Sequence, residues 1–552
     1  MKRILVLVVG SVLALSGAAG ARADVDNASA TNVQDGQNTS SSSQSGKGNS
    51  GDAVGGQVAG VVSGGRASVD ARNTSRDSTI STGSVDGTNS AASFVGLNSS
   101  PTTTVIADVT NACNAAACDN IQDGSNRYSL AQTLGAISGD GVGGQVIGLV
   151  ATRSADPSIV ASNTTDGVDV DTGEADGTNS AAAFVGLNES ASATTITADL
   201  DSLCTGNECH NLQDGSNRLR SRQSADAHSG DGVAGQVIGA VTSSRTSVDA
   251  TNRTNDSAVD TGDATADNSA AYFVGLNASD DGLALTGDVS NSCEPGCDNV
   301  QDGSNRASAA QTARASSGDG VAGEVIGVVG SGGGVSVVAA NTSTDSDVET
   351  GDGEATNDLA AFVGLNESDS GPALTADVTN SCSTECENVQ DGSNTFTGSQ
   401  TARSSSGDGV AGQVLGVVAA GNASLDATNR SDGVSVDTGN TDAHNDAAVY
   451  VGLNTSDFGP TLTAESADVS SVTAVNLQDG RNSKTLSQNA DASSGDAVAG
   501  QVSGVVTAAG GSASLVLANT SADIDASTGE SEFSNDESSF VGLNFSTSTV
   551  LG

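Results

Sequence analysis

The residues best equipped for chemistry are eight cysteines, in four close pairs: Cys113/Cys118, Cys204/Cys209, Cys293/Cys297 and Cys382/Cys386. Each pair sits shortly before a Gln-Asp-Gly motif. In a secreted chain such spacing reads as four local disulfides. Each closes so short a loop that it stabilises by roughly 2 kcal/mol at most. Ser470 to Val475, at the matching place before Gln478, holds no cysteine, so the staple is dispensable. Zinc needs four ligands, so two pairs would have to meet. Only Cys209 is followed by a histidine, His210, and no metal ligand set emerges.

Two Asn-x-Ser/Thr sequons recur in register. One set is Asn98, Asn188, Asn277, Asn366, Asn454 and Asn544; the other is Asn73, Asn163, Asn252, Asn341, Asn429 and Asn519. They are candidate glycosylation sites, against the plainer reading of Asn placed at turns in a β-rich repeat. His210, His228 and His444 do not repeat, and none accompanies a nucleophile and an acid. Paired carboxylates abound, but none is singled out as an acid–base pair, so no catalytic or cofactor-binding residue is assigned and the chain reads as non-enzymatic. Asp166, Asp169, Asp171, Glu174 and Asp176 are dense in hard oxygen ligands, yet position 5 of an EF-hand count from Asp169 is Gly173. Weak Ca2+ binding at such turns stays open, with Asp turns that cap strands as the preferred explanation.

The elements that carry these residues repeat. Gln34, Gln122, Gln213, Gln301, Gln390 and Gln478 lie in Asn-x-Gln-Asp-Gly-x-Asn strings spaced by 88, 91, 88, 89 and 88 residues. Asp52, Asp140, Asp231, Asp319, Asp408 and Asp496 mark Ser-Gly-Asp-x-Val-x-Gly-Gln-Val, with Glu324 replacing Gln in the fourth copy. Phe94, Phe184, Phe273, Phe362, Tyr450 and Phe540 each precede Val-Gly-Leu-Asn. The three anchors keep step, giving repeats at 24–110, 111–201, 202–290, 291–379, 380–468 and 469–552. Short β-branched stretches between Gly, Asn and Asp clusters predict an all-β chain with strands of about 4–7 residues. Aromatics are 2% of the residues, too few for ordinary large cores. The expected fold is a repetitive β-solenoid, parallel β-helix-like, with each repeat wound into about four coils of 22 residues. The alternative is a string of six β-sandwich domains. On the four-coil winding, cysteines of successive repeats stand about 19 Å apart, beyond disulfide reach.

Met1 to Arg3, the apolar run Ile4 to Leu15 and Ala21-Arg22-Ala23 form a secretory signal peptide at 1–23, with Asp24 as the mature start. No second apolar run is long enough to span a membrane, so the expected location is extracellular or at the cell surface. The net charge of −47 argues against nucleic acid as a partner.

The stretch Gln301-Asp-Gly-Ser-Asn305-Arg-Ala-Ser-Ala-Ala-Gln311, with its counterparts from Gln390 and Gln478, resembles the curlin repeat of secreted bacterial fibres. That resemblance covers eleven residues per unit and implies a β-solenoid with stacked Gln and Asn in an extracellular fibre. Asp24 to Asn27 resembles Asp108 to Asn111, and Ser546 to Val550 resembles Pro101 to Val105. Two chains set tail to head would rebuild that connector. The expected function is a structural subunit of a fibre or coat that assembles with itself. A surface adhesin or glycan-binding module is the alternative.

Overall fold

The computed structural model describes residues 31–34, 37–63, 68–98, 112–113, 118–122, 125–151, 158–191, 203–204, 209–213, 215–242, 246–280, 289–293, 297–301, 303–330, 334–368, 378–382, 387–390, 392–420, 422–456, 466–470, 475–478, 481–507 and 512–546. The signal peptide, Asp24 and Cys386 lie outside these residues.

The fourth repeat shows the plan. Asn305–Ser316 lies in sheet 1, Gly320–Gly330 in sheet 2, Val335–Glu349 in sheet 3 and Gly353–Ser368 in sheet 4. Two short strands follow, Val378–Cys382 in sheet 5 and Glu387–Gln390 in sheet 6. Each strand pairs in parallel with its counterparts one repeat before and one repeat after, so Gln311 lies between Gln223 and Gln400. Sheets 1 to 4 hold six strands each, in repeat order. The chain is therefore a parallel β-solenoid.

Each repeat makes one coil, and the expected four coils of 22 residues are not formed. The strands of sheets 1 to 4 run from 11 residues (Gly320–Gly330) to 17 (Ala175–Ala191), well beyond the expected 4–7, and only those of sheets 5 and 6 are short. The cause is alternation sustained through polar positions. In Asn305–Ser316, every second residue is buried, and Asn305 and Gln311 occupy buried places alongside Ala307, Ala309, Ala313 and Ala315. A buried amide is admissible there because its own copies above and below satisfy it. At the usual strand spacing, six coils make a slab about 29 Å thick.

The coil is flattened into two layers. Sheets 1 and 2 run on from each other across the Ser317-Gly318-Asp319 turn, and sheets 3 and 4 across Thr350-Gly351-Asp352. Sheet 2 packs on sheet 3 through Ile326, Val328, Val335, Val337 and Ala339. Sheet 1 packs on sheet 4 through Ala307, Ala309, Leu359, Ala361 and Val363, which in other coils become Tyr128, Leu219, Tyr272 and Phe396. The turns are built for stacking: a Cβ on Gly318 would lie 2.0 Å from the carbonyl oxygen of Gly230, and one on Gly351 2.3 Å from that of Gly262. Thr261 Oγ1 donates to the carbonyl of Gly318 at 2.8 Å, tying the two layers together at mid-coil.

The glycine of Val-Gly-Leu-Asn is a bulge. Gly364 has φ of +71°, is skipped in the strand register, and a Cβ there would lie 1.9 Å from Oδ1 of Asn394 in the next coil. Two of the sequence anchors thus meet across one coil step: the bulge glycine makes room for the asparagine that follows Gln-Asp-Gly.

Candidate functional site

Among the described residues no cleft gathers reactive groups; what repeats in register is a set of side-chain columns along the stacking axis. Asn73, Asn163, Asn252, Asn341, Asn429 and Asn519 form one, each Nδ2 donating to Oδ1 of the next at 3.0–3.2 Å. The second proton reaches a backbone carbonyl of sheet 2, as from Asn341 to Val414 at 3.2 Å. Asn38, Asn126, Asn217, Asn305, Asn394 and Asn482 form a second column at 2.8–2.9 Å. Asn89, Asn179, Asn268, Asn357, Asn445 and Asn535 form a third at 2.7–2.9 Å. All three donate toward the C-terminal coil. The column Gln44, Gln132, Gln223, Gln311, Gln400 and Gln488 donates the other way, each Nε2 to the preceding Oε1 at 2.7–3.0 Å. The rings of Phe94, Phe184, Phe273, Phe362 and Tyr450 stack with centroids 4.7–4.9 Å apart, one strand spacing, and Phe540 follows at 5.4 Å.

A fifth column, Gln57, Gln145, Gln236, Glu324, Gln413 and Gln501, carries the one acid. Gln413 Nε2 donates to Glu324 Oε2 at 3.1 Å, and Oε1 of both Glu324 and Gln236 lacks a partner among the described residues. Burial first, eased by hydrogen bonds from Thr254 and Gln413, pushes the Glu324 carboxyl up to about 8. The Glu324 carboxyl is therefore mostly protonated at pH 7.

Acids also stack, because register places like residues at one strand spacing. Asp171, Asp260, Glu349 and Asp437 are successive partners. Asp260 is pushed up to about 6, by burial first and then by Glu349, Asp171, Asp263 and Asp169. Asp267 is pushed up to about 6 by burial, then by Glu354, Asp358 and Asp176. At the first turn Asp52, Asp140, Asp231, Asp319, Asp408 and Asp496 are tied by backbone N–H to the carboxylate one coil below, as Asp408 to Asp319 at 2.8 Å. Asp166, Asp169 and Asp171 are exposed along one extended strand, spread out and not wrapped around a point. Among the described residues no three His, Cys, Asp or Glu side chains converge on a cation site.

The sequons divide. Asn163, Asn252, Asn341 and Asn429 are fully buried and Asn73 nearly so, in mid-strand and not at turns, with each amide nitrogen committed to the ladder. A glycan on any of these amides is incompatible with the folded stack. Asn519, on the last coil, is exposed. Asn98, Asn188, Asn277, Asn366, Asn454 and Asn544 lie within the last four residues of the bulged strands of sheet 4, and their side chains are outside the described set.

The cysteines also stack. Cys113, Cys204, Cys293 and Cys382 are successive register partners, as are Cys118, Cys209 and Cys297. With one coil per repeat, successive cysteines stand one strand spacing apart instead of about 19 Å, so the distance argument for local pairing falls. Within-coil bonds remain the pairing that the sequence spacing favours. His210, His228 and His444 lie on sheets 6, 1 and 4; His444 contacts Ser534 Oγ at 2.7 Å and the Asp442 carboxylate at 2.6 Å.

No protein-family model matches the chain, and no curated protein or solved structure is significantly similar to it. Sequence reasoning passed over the Asn89 column, whose signal was an Asn five residues before each ring-bearing anchor. It also passed over the outer face of sheet 2, whose signal was the beat Val-x-Gly-x-Val-x-Gly-x-Val.

Proposed function

We propose that this chain is a secreted structural subunit that stacks end on end, the last coil of one copy on the first coil of the next, into an extracellular fibre or coat. One observation carries the reading. The two outermost coils present the same residue in six columns: Asn38 and Asn482, Gln44 and Gln488, Gln57 and Gln501, Asn73 and Asn519, Asn89 and Asn535, Phe94 and Phe540. Among the described residues nothing covers either outer side, and a row of unpaired strand edges is a template for another chain. The contact is heterologous, so it propagates. Electron microscopy of protein beginning at Asp24 tests it. The expected result is filaments with an axial repeat near 29 Å, six strand spacings; discrete particles at all concentrations would defeat it.

A second reading, a single rod that binds a glycan or other surface ligand, draws on one feature. Lys484 stands where coil two has Tyr128 and coil five has Phe396, and it pairs with Glu537, which replaces Ala447. On the first coil Ser40 and Ser42 replace Tyr128 and Leu130. Inward charge and polar terminal coils are ways to blunt a sheet edge. Replacing Lys484 and Glu537 by Phe and Ala separates the readings: a blunted end starts to polymerise, whereas an end that already stacks gains nothing in length.

A further inference from the structure

The outer face of sheet 2 differs from the other described faces of the slab. Its outward positions read Val142, Gly144, Val146, Gly148, Val150 in the second coil and Val321, Gly323, Val325, Gly327, Val329 in the fourth, and the other coils repeat the series. In a chain of net charge −47, every outward residue of these six strands is valine or glycine. Val237, Val325 and Val414 are about 40% exposed even in the interior of the stack.

The two glycine columns have different causes. A Cβ on Gly144, Gly235, Gly323 or Gly412 would come within 2.9–3.1 Å of a backbone carbonyl in the next coil, so the stack leaves little room for a side chain there. At Gly60, Gly148, Gly239, Gly327, Gly416 and Gly504 a Cβ would meet nothing within 4 Å. None of these six has a positive φ. Glycine inside a strand weakens it, and in strands it often marks a place where another backbone approaches. Six such residues in a row make an open valley, about 6.6 Å along the strand from a valine ridge on either side.

We propose that this face is a contact between two copies of the chain, related by a two-fold axis that lies between the two faces and parallel to the stacking axis, with valine ridges of each copy seated in glycine valleys of the other. The surface complements itself: ridge and valley alternate at equal steps, and a shift of two residues along the strand brings one over the other. Its extent suits a stable pair. Six strands of eleven residues cover about 29 by 36 Å, so two faces would bury on the order of 2,000 Å², the upper end of the standard range for specific interfaces. A dry face of small interdigitating side chains is also the packing that parallel in-register sheets adopt toward each other. The charge sits to the side: the Asp52 to Asp496 column borders the face at the turn, exposed in every coil but the third, where Asp231 is half-buried. Like charge therefore opposes pairing only at the rim, where salt screens it. Single copies can pair in this way whether or not they also stack end on end.

The test compares the full chain from Asp24 with a Gly239→Leu, Gly327→Leu variant by sedimentation and thermal unfolding. Open space over both glycines means the variant should keep its β spectrum and melting temperature. Leucine fills the valleys, so the variant should sediment as one chain where the parent sediments as two. The parent's pairing should strengthen from about 0.01 M to about 0.15 M salt as the screening length falls. A second variant, Val237→Thr, Val325→Thr, Val414→Thr, retains shape and strand preference and should weaken pairing at least tenfold. Filaments report the same contact separately, since face pairing doubles their width and leaves the axial repeat unchanged. The proposal is overturned if parent and leucine variant have the same mass and filament width, or if the parent stays a single chain and floats with phosphatidylcholine vesicles, which would make the face a lipid contact.

Discussion

The third and fourth coils and the two outermost coils are built from the same repeat, yet their side chains live in different surroundings. Asn341 is fully buried with both amide protons used, whereas Asn519, its counterpart in the sixth coil, is exposed. Val337 and Ala339 are sealed in the core; Leu515 and Leu517, in the same columns, are 47% and 46% exposed. Phe533 occupies a column of Ala266, Ala355 and Ala443 and stands 65% exposed. The difference teaches that a solenoid side chain is stabilised by its copies one coil away, so identical letters are worth unequal amounts along the stack.

Substitution pairs measure that inequality. The largest gap is expected at the bulge. Gly364→Ala meets both a left-handed backbone and the Asn394 side chain at 1.9 Å, and should cost more than about 3 kcal/mol or prevent folding. Gly542→Ala, at the same bulge with no following coil among the described residues, carries only the backbone strain, about 1–2 kcal/mol. Urea denaturation of the two variants reads the gap; equal losses would mean that the outermost coil is covered. Next, Asn341→Ala leaves Nδ2 of Asn252 and Oδ1 of Asn429 without their buried partner, about 1–3 kcal/mol for each. Asn519→Ala should cost under about 1 kcal/mol, and an equal cost at the two sites would break the comparison.

Glu324 sharpens it by pH. Its folded value near 8 lies above the ordinary carboxylate value, so its contribution is fully present below the unfolded pKa and is lost as pH rises through about 8. The loss is on the order of a few kcal/mol. Glu324→Gln restores the column's usual residue and should flatten the decline in melting temperature between about pH 5 and pH 9. A remaining slope reports Asp260 and Asp267, which act in the same direction over a window ending near pH 6. Each cysteine pair carries a smaller effect than Glu324. Reduction should cost at most about 2 kcal/mol per bridge if they pair within a coil. Peptide mapping without reductant should recover Cys113 with Cys118, and recovery of Cys113 with Cys204 would assign the bonds to the ladder instead.

Much of this was legible beforehand, and the misreadings have physical causes. Three anchors in step gave the repeat, and β-branched stretches with Gly and Asp turns gave an all-β solenoid. The coil size was not legible from the period, because one coil of 89 residues and four of 22 produce the same spacing of motifs. Strand length could have decided it, but Gln132 and Asn163 look like interruptions of an apolar series until their own copies are seen to satisfy them. The same masking made Asn163 look like a surface sequon. Local chemistry made Cys113 and Cys118 look paired, while register places Cys113 one strand spacing from Cys204. The valine face was not legible because alternation of Val with Gly carries no chemistry of its own.

The opposed directions of the amide columns have a consequence for growth. Asn519 and Asn535 leave their donors facing out of the last coil, and Gln488 leaves an acceptor there; Asn73 and Asn89 present acceptors at the first coil, and Gln44 a donor. Unlike ends therefore match at every column. Like ends set donor against donor and acceptor against acceptor. A filament grown from this subunit would carry a single arrow along its length, with two tips that differ chemically and add subunits at different rates.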